Sequence, residues 1–210
     1  MFLLDLKADY VSLNLTIPNT PQPVPSIFID GWIIIQKNVL GNCAIFDRSW
    51  IDYRNGFGDE EGNYLWFGNE KLYQLLTTGS WKLRVEVQSN DTVNWYSAEY
   101  DSFQLSNEAT KYVINVAGYT GDAGDAFSVV SKGQYVTNGM KFSTFDKDND
   151  EYSGGNCAIS TNGGWWNNHC GTSRLNGCAA GAWGTLQLQG LAPKYFVSSS
   201  RMMIKKIDQI

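Results

Sequence analysis

The chain has 210 residues, of which 43% are hydrophobic and 18% charged, with 21 glycines; that is enough apolar material for one self-supporting core in a loop-rich, folded domain, and it rules out a disordered chain. A formal net charge of -5 without any Lys/Arg cluster lacks the electrostatic footprint of a nucleic-acid binder. No apolar run approaches the roughly 20 residues that cross a bilayer, and residues 1–4 are too short for a signal-peptide core, so no membrane insertion is expected and any secretion signal would lie outside the chain.

Four of the five prolines fall within 18–25, in the stretch IPNTPQPVPS, a composition that favours extended chain and resists a central strand. Residues 1–26 are therefore expected to be a Pro-rich arm or linker, in which alternating Val11, Leu13 and Leu15 allow a short edge strand, ahead of one domain over 27–210. The run Ile33, Ile34 and Ile35 after Gly31 and Trp32 predicts a buried strand, and period-two alternation predicts others over 82–88, 97–105, 111–116 and 201–207. Helix is sparse. One is expected over 48–54 with Asp47 as its N-cap, and another over 68–76. Beyond Gly118 the periodicity fades into Gly, Asn and Asp; order there needs a non-helical cause, which a bound cation and a disulfide would supply.

The cysteines form an even set of four, and Cys157 and Cys170 stand 13 positions apart across a Gly/Trp/Asn-rich stretch. A disulfide closing that loop would contribute about 3 kcal/mol in the chain-entropy model. Cys43 with Cys178 would form the second pair, although nothing local ties them together. Buried thiols or a zinc site are the alternatives, and the single histidine makes zinc a poor fit. Two N-glycosylation sequons, at Asn14 and Asn90, point towards an extracellular glycoprotein.

The sharpest chemical signal is the alternation Asp146, Asp148, Asp150, which gathers hard oxygen ligands on one side of a turn and suits calcium; a solvated acidic turn is the alternative. An EF-hand is excluded, because loop positions six and twelve hold Glu151 and Cys157. His169 is the only histidine and no nucleophile elbow, zinc-protease motif or phosphate-binding glycine loop occurs, so no catalytic role is expected. Trp165 and Trp166 read as core packing.

Taken together and in order, the segments GWIIIQ (31–36), RSWIDYRNGFG (48–58), WFGNEKL (66–72), AEYDSF (98–103), GYTGDAGD (118–125) and NGMKFST (138–144) resemble blocks of the fibrinogen-related domain family. GNCA (155–158), GWW (164–166), HC (169–170) and LNG (175–177) continue the likeness, which spans about 28 to 207. The family includes fibrinogen chain ends, ficolins, tachylectins, tenascins and angiopoietins.

The resemblance implies an α+β fold, fibrinogen C-terminal-like, with a central, mostly antiparallel sheet, few short helices and a loop-rich calcium-binding subdomain. Its calcium ligands would be the carboxylates of Asp148 and Asp150 and the carbonyls of Tyr152 and Gly154, with Gly155 able to replace Gly154 because Ser153-Gly154-Gly155-Asn156 carries one glycine more than the usual pattern. The ligand pocket of lectin-like members would fall beside the 157–170 bridge, on Asn168, His169, Cys170, Gly171 and Ala179, with a cis peptide joining His169 to Cys170. The chain departs from the family at Gly171, where histidine is usual, at Cys178-Ala179-Ala180, where an aromatic is usual, and before Trp32, where the first disulfide is missing. The function implied is that of a secreted, extracellular, calcium-dependent lectin in pattern recognition or adhesion, binding acetylated or anionic glycans. A protein receptor is the alternative partner on the same fold, and assembly of a homo-oligomer through the N-terminal arm is a third role.

Overall fold

The computed structural model describes residues 10–39, 43–59, 61–89, 92–128, 136–171, 173–177, 182–183 and 197–207. Strand β1 (Val11–Leu15) pairs with β2 (Val24–Ile29), which turns through Asp30 and Gly31, both at positive φ, into β3 (Trp32–Asn38). Two consecutive left-handed residues match the twist of the strands they join. The second half of the expected arm therefore lies on the sheet: the proline-rich segment links β1 to β2, and Ile17, only 2% exposed, enters the core.

Residues 43–46 form a helical turn, α1 (Cys43–Phe46), followed by α2 (Trp50–Asn55). Ser49 caps α2, and Asp47 does not: the Ser49 side chain accepts from the Asp52 amide while the Asp52 carboxylate accepts from the Ser49 amide. This reciprocal box satisfies two orphan donors at once, which a lone Asp47 would not do, and so the helix starts two residues later than expected. Short strands β4 (Phe57–Gly58) and β5 (Tyr64–Trp66) lead to α3 (Asn69–Leu76), whose apolar face is Leu72, Leu75 and Leu76.

The strict alternation of β6 (Trp81–Ser89) buries Trp81, Leu83, Val85 and Val87 on one face, as its sequence predicts. β7 (Trp95–Leu105) and β8 (Ile114–Gly121) follow. β8 begins three residues after the expected 111 because Lys111 and Tyr112 adopt left-handed φ to close a 3-10 turn at Glu108–Thr110, and it runs on to Gly121. The late strand β11 (Val197–Lys206) inserts between β3 and β6, giving the order β1-β2-β3-β11-β6-β7-β8, with β5 also on β3 and β4 on β5. Every pairing among the described strands is antiparallel. Helix α4 (Cys157–Thr161) and a small ribbon of β9 (Ser173–Arg174) with β10 (Ala182–Trp183) belong to the loop-rich C-terminal half.

The two halves meet in a dense aromatic core. Trp165 and Trp166, 1% and 0% exposed, pack with Trp66, Phe142 and Phe127, so both are interior residues and not an exposed platform. Tyr53 joins the halves by polar bonds as well. Its hydroxyl donates to the Phe46 carbonyl at 2.7 Å and accepts from the Gly164 amide at 2.9 Å, while its ring meets Trp66 and Phe57 edge-on. Burial pushes the phenol well above its usual pKa, so the hydroxyl keeps its proton to donate. A Cβ on Gly164 would come within 2.6 Å of the Tyr53 ring. Tyr53→Phe should lower unfolding stability by about 1–3 kcal/mol in a urea titration, because it strands the buried Gly164 amide while leaving the ring in place; the Phe46 carbonyl keeps its bond from the Arg48 amide.

Candidate recognition site at the acidic loop and the 157–170 bridge

The acidic loop is pinned at its start. Asp146 Oδ1 accepts from the Trp50 amide of α2 at 2.9 Å and from Thr144 Oγ1 at 2.7 Å, while Lys147 Nζ sits 4.1 Å from the centre of the Trp50 ring. Asn149 donates from Nδ2 to the Phe142 carbonyl at 2.8 Å, folding the loop back on its own stem. On the other side of Trp50, its indole donates to Glu108 at 2.7 Å, and Arg54 pairs with the same carboxylate at 2.9 Å. These hydrogen bonds, the indole's first, hold Glu108 below the ordinary carboxylate range. The first of the three alternating aspartates is thus engaged in holding the fold, while Asp148 is exposed and Asp150 half-buried.

Asp150 organises the remainder of the loop. Its Oδ1 accepts from the Tyr152 amide and its Oδ2 from the Cys157 amide, each at 2.8 Å, and Asp148 Oδ1 accepts from the Asp150 amide at 3.3 Å. Burial raises the Asp150 pKa, and the neighbouring Asp148 charge adds to that rise against the opposing pull of the two amides. The Tyr152 carbonyl accepts a long 3.4 Å turn bond from the Gly155 amide and keeps a second lone pair. The Tyr152 ring folds over Gly154 so closely that a Cβ there would lie 2.5 Å from its phenolic carbon, whereas one on Gly155 would meet nothing within 4 Å.

Among the described residues there is no group of three or more His, Cys, Asp or Glu side chains, so a metal here would draw on two carboxylates, backbone carbonyls and water. All are hard oxygen donors, which suits calcium and not zinc.

The bridge of Cys157 to Cys170, with Cα atoms 4.8 Å apart, starts at the N-terminus of α4. Asn156 caps that helix through Oδ1 and, from Nδ2, donates to the Thr144 carbonyl at 2.9 Å, so loop stem and helix share one residue. Beyond the bridge, the Glu151 amide donates to the Asn168 carbonyl at 3.2 Å, Asn168 Oδ1 lies 2.8 Å from His169 Nδ1, and the His169 and Tyr152 rings approach to 6.1 Å. Asn168, His169, Cys170 and Gly171 accordingly form one ledge beside the acidic loop, with Asn168 buried and the other three half-buried.

One expectation is altered. The structure contains no cis peptide among the described residues; the bond between His169 and Cys170 is trans, and the backbone bends instead through Cys170 in the left-handed region at φ 52°. A cis bond without proline costs about 3 kcal/mol, which a single left-handed residue avoids. Arg174, which sequence reading passed over, reaches back with Nη1 to the Cys170 carbonyl at 3.4 Å and the Gly171 carbonyl at 3.3 Å. Its only signal was a basic residue just before Leu175-Asn176-Gly177. Ala179 and Cys178 lie outside the described residues, so the pairing expected for Cys43 does too.

The site is thus a bridged, oxygen-lined loop with an adjoining ledge, carried on an antiparallel sheet. Residues 28–205 match the profile of the C-terminal globular domain of fibrinogen beta and gamma chains, and the protein belongs to that family. It is 39% identical over 182 residues to angiopoietin-4 of Bos taurus, covering 83% of this chain and 34% of that protein. It is 39% identical over 148 residues to ficolin-3 of Homo sapiens, covering 70% of this chain and 46% of that protein. The chain thus spans between a third and a half of these relatives. A lamprey fibrin D-dimer, solved with the peptide ligand Gly-His-Arg-Pro-amide, superposes with a TM-score of 0.83 at 26% identity, over 97% of this chain and 71% of that one.

If Asp146 holds the fold, Asp146→Ala should lower stability by about 1 kcal/mol, as loss of a helix-capping acceptor does. The loss should be the same in calcium and in chelator when read by urea denaturation, because the side chain acts on α2.

Proposed function

We propose that this chain is an extracellular recognition module in which calcium orders the acidic loop and the ledge at Asn168–Gly171 takes an acetylated or anionic glycan. The observation that carries this reading is the pair of bonds from one carboxylate, Asp150 to Tyr152 and to Cys157, since whatever fixes that carboxylate also fixes the start of the bridge. Calcium, when bound, would supply positive charge between Asp148 and Asp150 and take up the carbonyls of Tyr152 and Gly154. The protein's own residues do the rest. Arg174 holds the carbonyls of Cys170 and Gly171, Asn168 meets His169, and Cys170 turns the backbone through the left-handed region. A rigid ledge is what a small polar ligand needs, because binding then orders few side chains.

A second reading keeps the same face and changes the partner to a polypeptide. What favours it is the lamprey fibrin structure, which matches over nearly the whole of this chain and holds a short peptide amide. Placement outside the cell accords with the bridge itself, since such bonds persist in oxidising compartments. No helix among the described residues is long and apolar enough to cross a membrane.

Calcium at a hundred times its Kd should stabilise the protein by about 2.7 kcal/mol, a rise of several degrees in melting temperature. Asp150→Asn should lose that response, and hits on a glycan array should vanish with chelator. A melting temperature indifferent to calcium would remove the metal from the reading; chelator-sensitive capture of peptides, with no glycan hit, would select the polypeptide partner.

A further inference from the structure

The two ends of the large sheet are finished differently. At β8 the outer edge is covered: the Ile114 amide donates to the Met140 carbonyl, the Gly139 amide to the Ile114 carbonyl, and the Asn138 side chain both accepts from the Val116 amide at 2.9 Å and donates to the Val116 carbonyl at 3.0 Å. An asparagine amide there mimics the missing strand. At β1 nothing comparable is present. Among the described residues, the backbone of Val11–Leu15 pairs on one side only, with β2, and no other described segment bonds to its outer edge. The same strand is the most apolar exposed stretch of the described residues: Val11 is 46% and Leu13 52% exposed, next to Tyr10 at 40%. A free edge bearing exposed apolar side chains is a template for pairing with another sheet, and soluble proteins blunt such edges by charge, proline or a covering group. Here β1 holds no charged residue, and its central positions hold no proline.

What β1 does hold is a sequon. Asn14-Leu15-Thr16 satisfies N-x-[ST] with no proline at the middle position, Asn14 and Thr16 are both exposed, and Asn14 stands on the last strand of the sheet opposite Pro25. Side chains alternate along a strand, so Asn14 projects from the face opposite Leu13 and can carry a bulky group without displacing Leu15 from the core. We propose that Asn14 is an N-glycosylation site whose glycan covers the β1 edge that no other described segment pairs with, and keeps the domain monomeric. The inference rests on the extracellular reading, but on neither calcium nor the ligand ledge. The second sequon, at Asn90, lies outside the described residues.

The test is secretion of the protein behind a heterologous signal peptide from a glycosylating eukaryotic cell, followed by glycopeptide mapping and light scattering. The peptide containing Asn14 should carry glycan in most molecules, and both Asn14→Gln and Thr16→Ala should abolish it. Either variant, or wild type deglycosylated under native conditions, should move from monomer to dimer or larger species as concentration rises, and Leu13→Lys added to Asn14→Gln should restore the monomer. Secreted, folded protein with unmodified Asn14 would overturn the site. Deglycosylated protein that stays monomeric at every concentration would overturn the shielding role. A calcium response would be unchanged in both cases, which separates failure here from failure of the metal reading.

Discussion

The hydroxyl of Tyr53 is the contact on which the architecture turns. It bonds at once to the carbonyl that ends α1 and to the amide of Gly164, so a residue near the end of the first quarter of the sequence fixes the segment that leads into Trp165, Trp166 and the bridge. Both partners are interior, where an unpaired polar group costs far more than a typical bond contributes. Geometry at this point is therefore strongly specified. Glycine at 164 is required as a result, because the phenol ring occupies the space that a side chain would need. Asn176, donating to the Gly164 carbonyl at 3.0 Å and accepting from Gln36 of β3 at 3.2 Å, anchors the same segment to the sheet.

From that anchor the recognition loop is held at three further places, each by a different carboxylate or amide. Asp146 ties the stem to α2, Asn156 ties the stem to α4, and Asp150 ties the interior of the loop to Cys157. Asp150 therefore has a task in this scaffold whether or not an ion is bound. The three alternating aspartates are thus not equivalent: Asp146 is claimed by a helix terminus, and Asp150 by the amides of Tyr152 and Cys157.

Where a pattern is repetitive the amino-acid order declares the structure. β6 alternates without a break, and its inward residues are legible because a half-buried strand demands period two. The family likeness of the blocks from residue 31 onwards carried the fold, and the spacing of two cysteines across a Gly/Trp/Asn-rich stretch carried the 157–170 bridge. Less was legible where short-range chemistry competes. Asp47 and Ser49 are both good caps, and only the reciprocal partner at Asp52 decides between them. Lys111 and Tyr112 look like strand residues, yet a left-handed turn claims them. The proline-rich stretch looked like a tether because its composition says nothing of Ile17, whose burial depends on a distant core. Arg174 and the trans bond before Cys170 depend on contacts made across the bridge, and no local pattern encodes those.

β11 lies between β3 and β6, bonded to both along much of its length. The middle seam of the sheet thus comes from the last of the described segments, and β6, which ends at Ser89, must wait for Val197 and its successors to leave the ribosome before that seam can close. Both seams are pairings of long sequence separation, a topology that folds slowly. Loss of the final strand would remove the sheet's centre, not its margin.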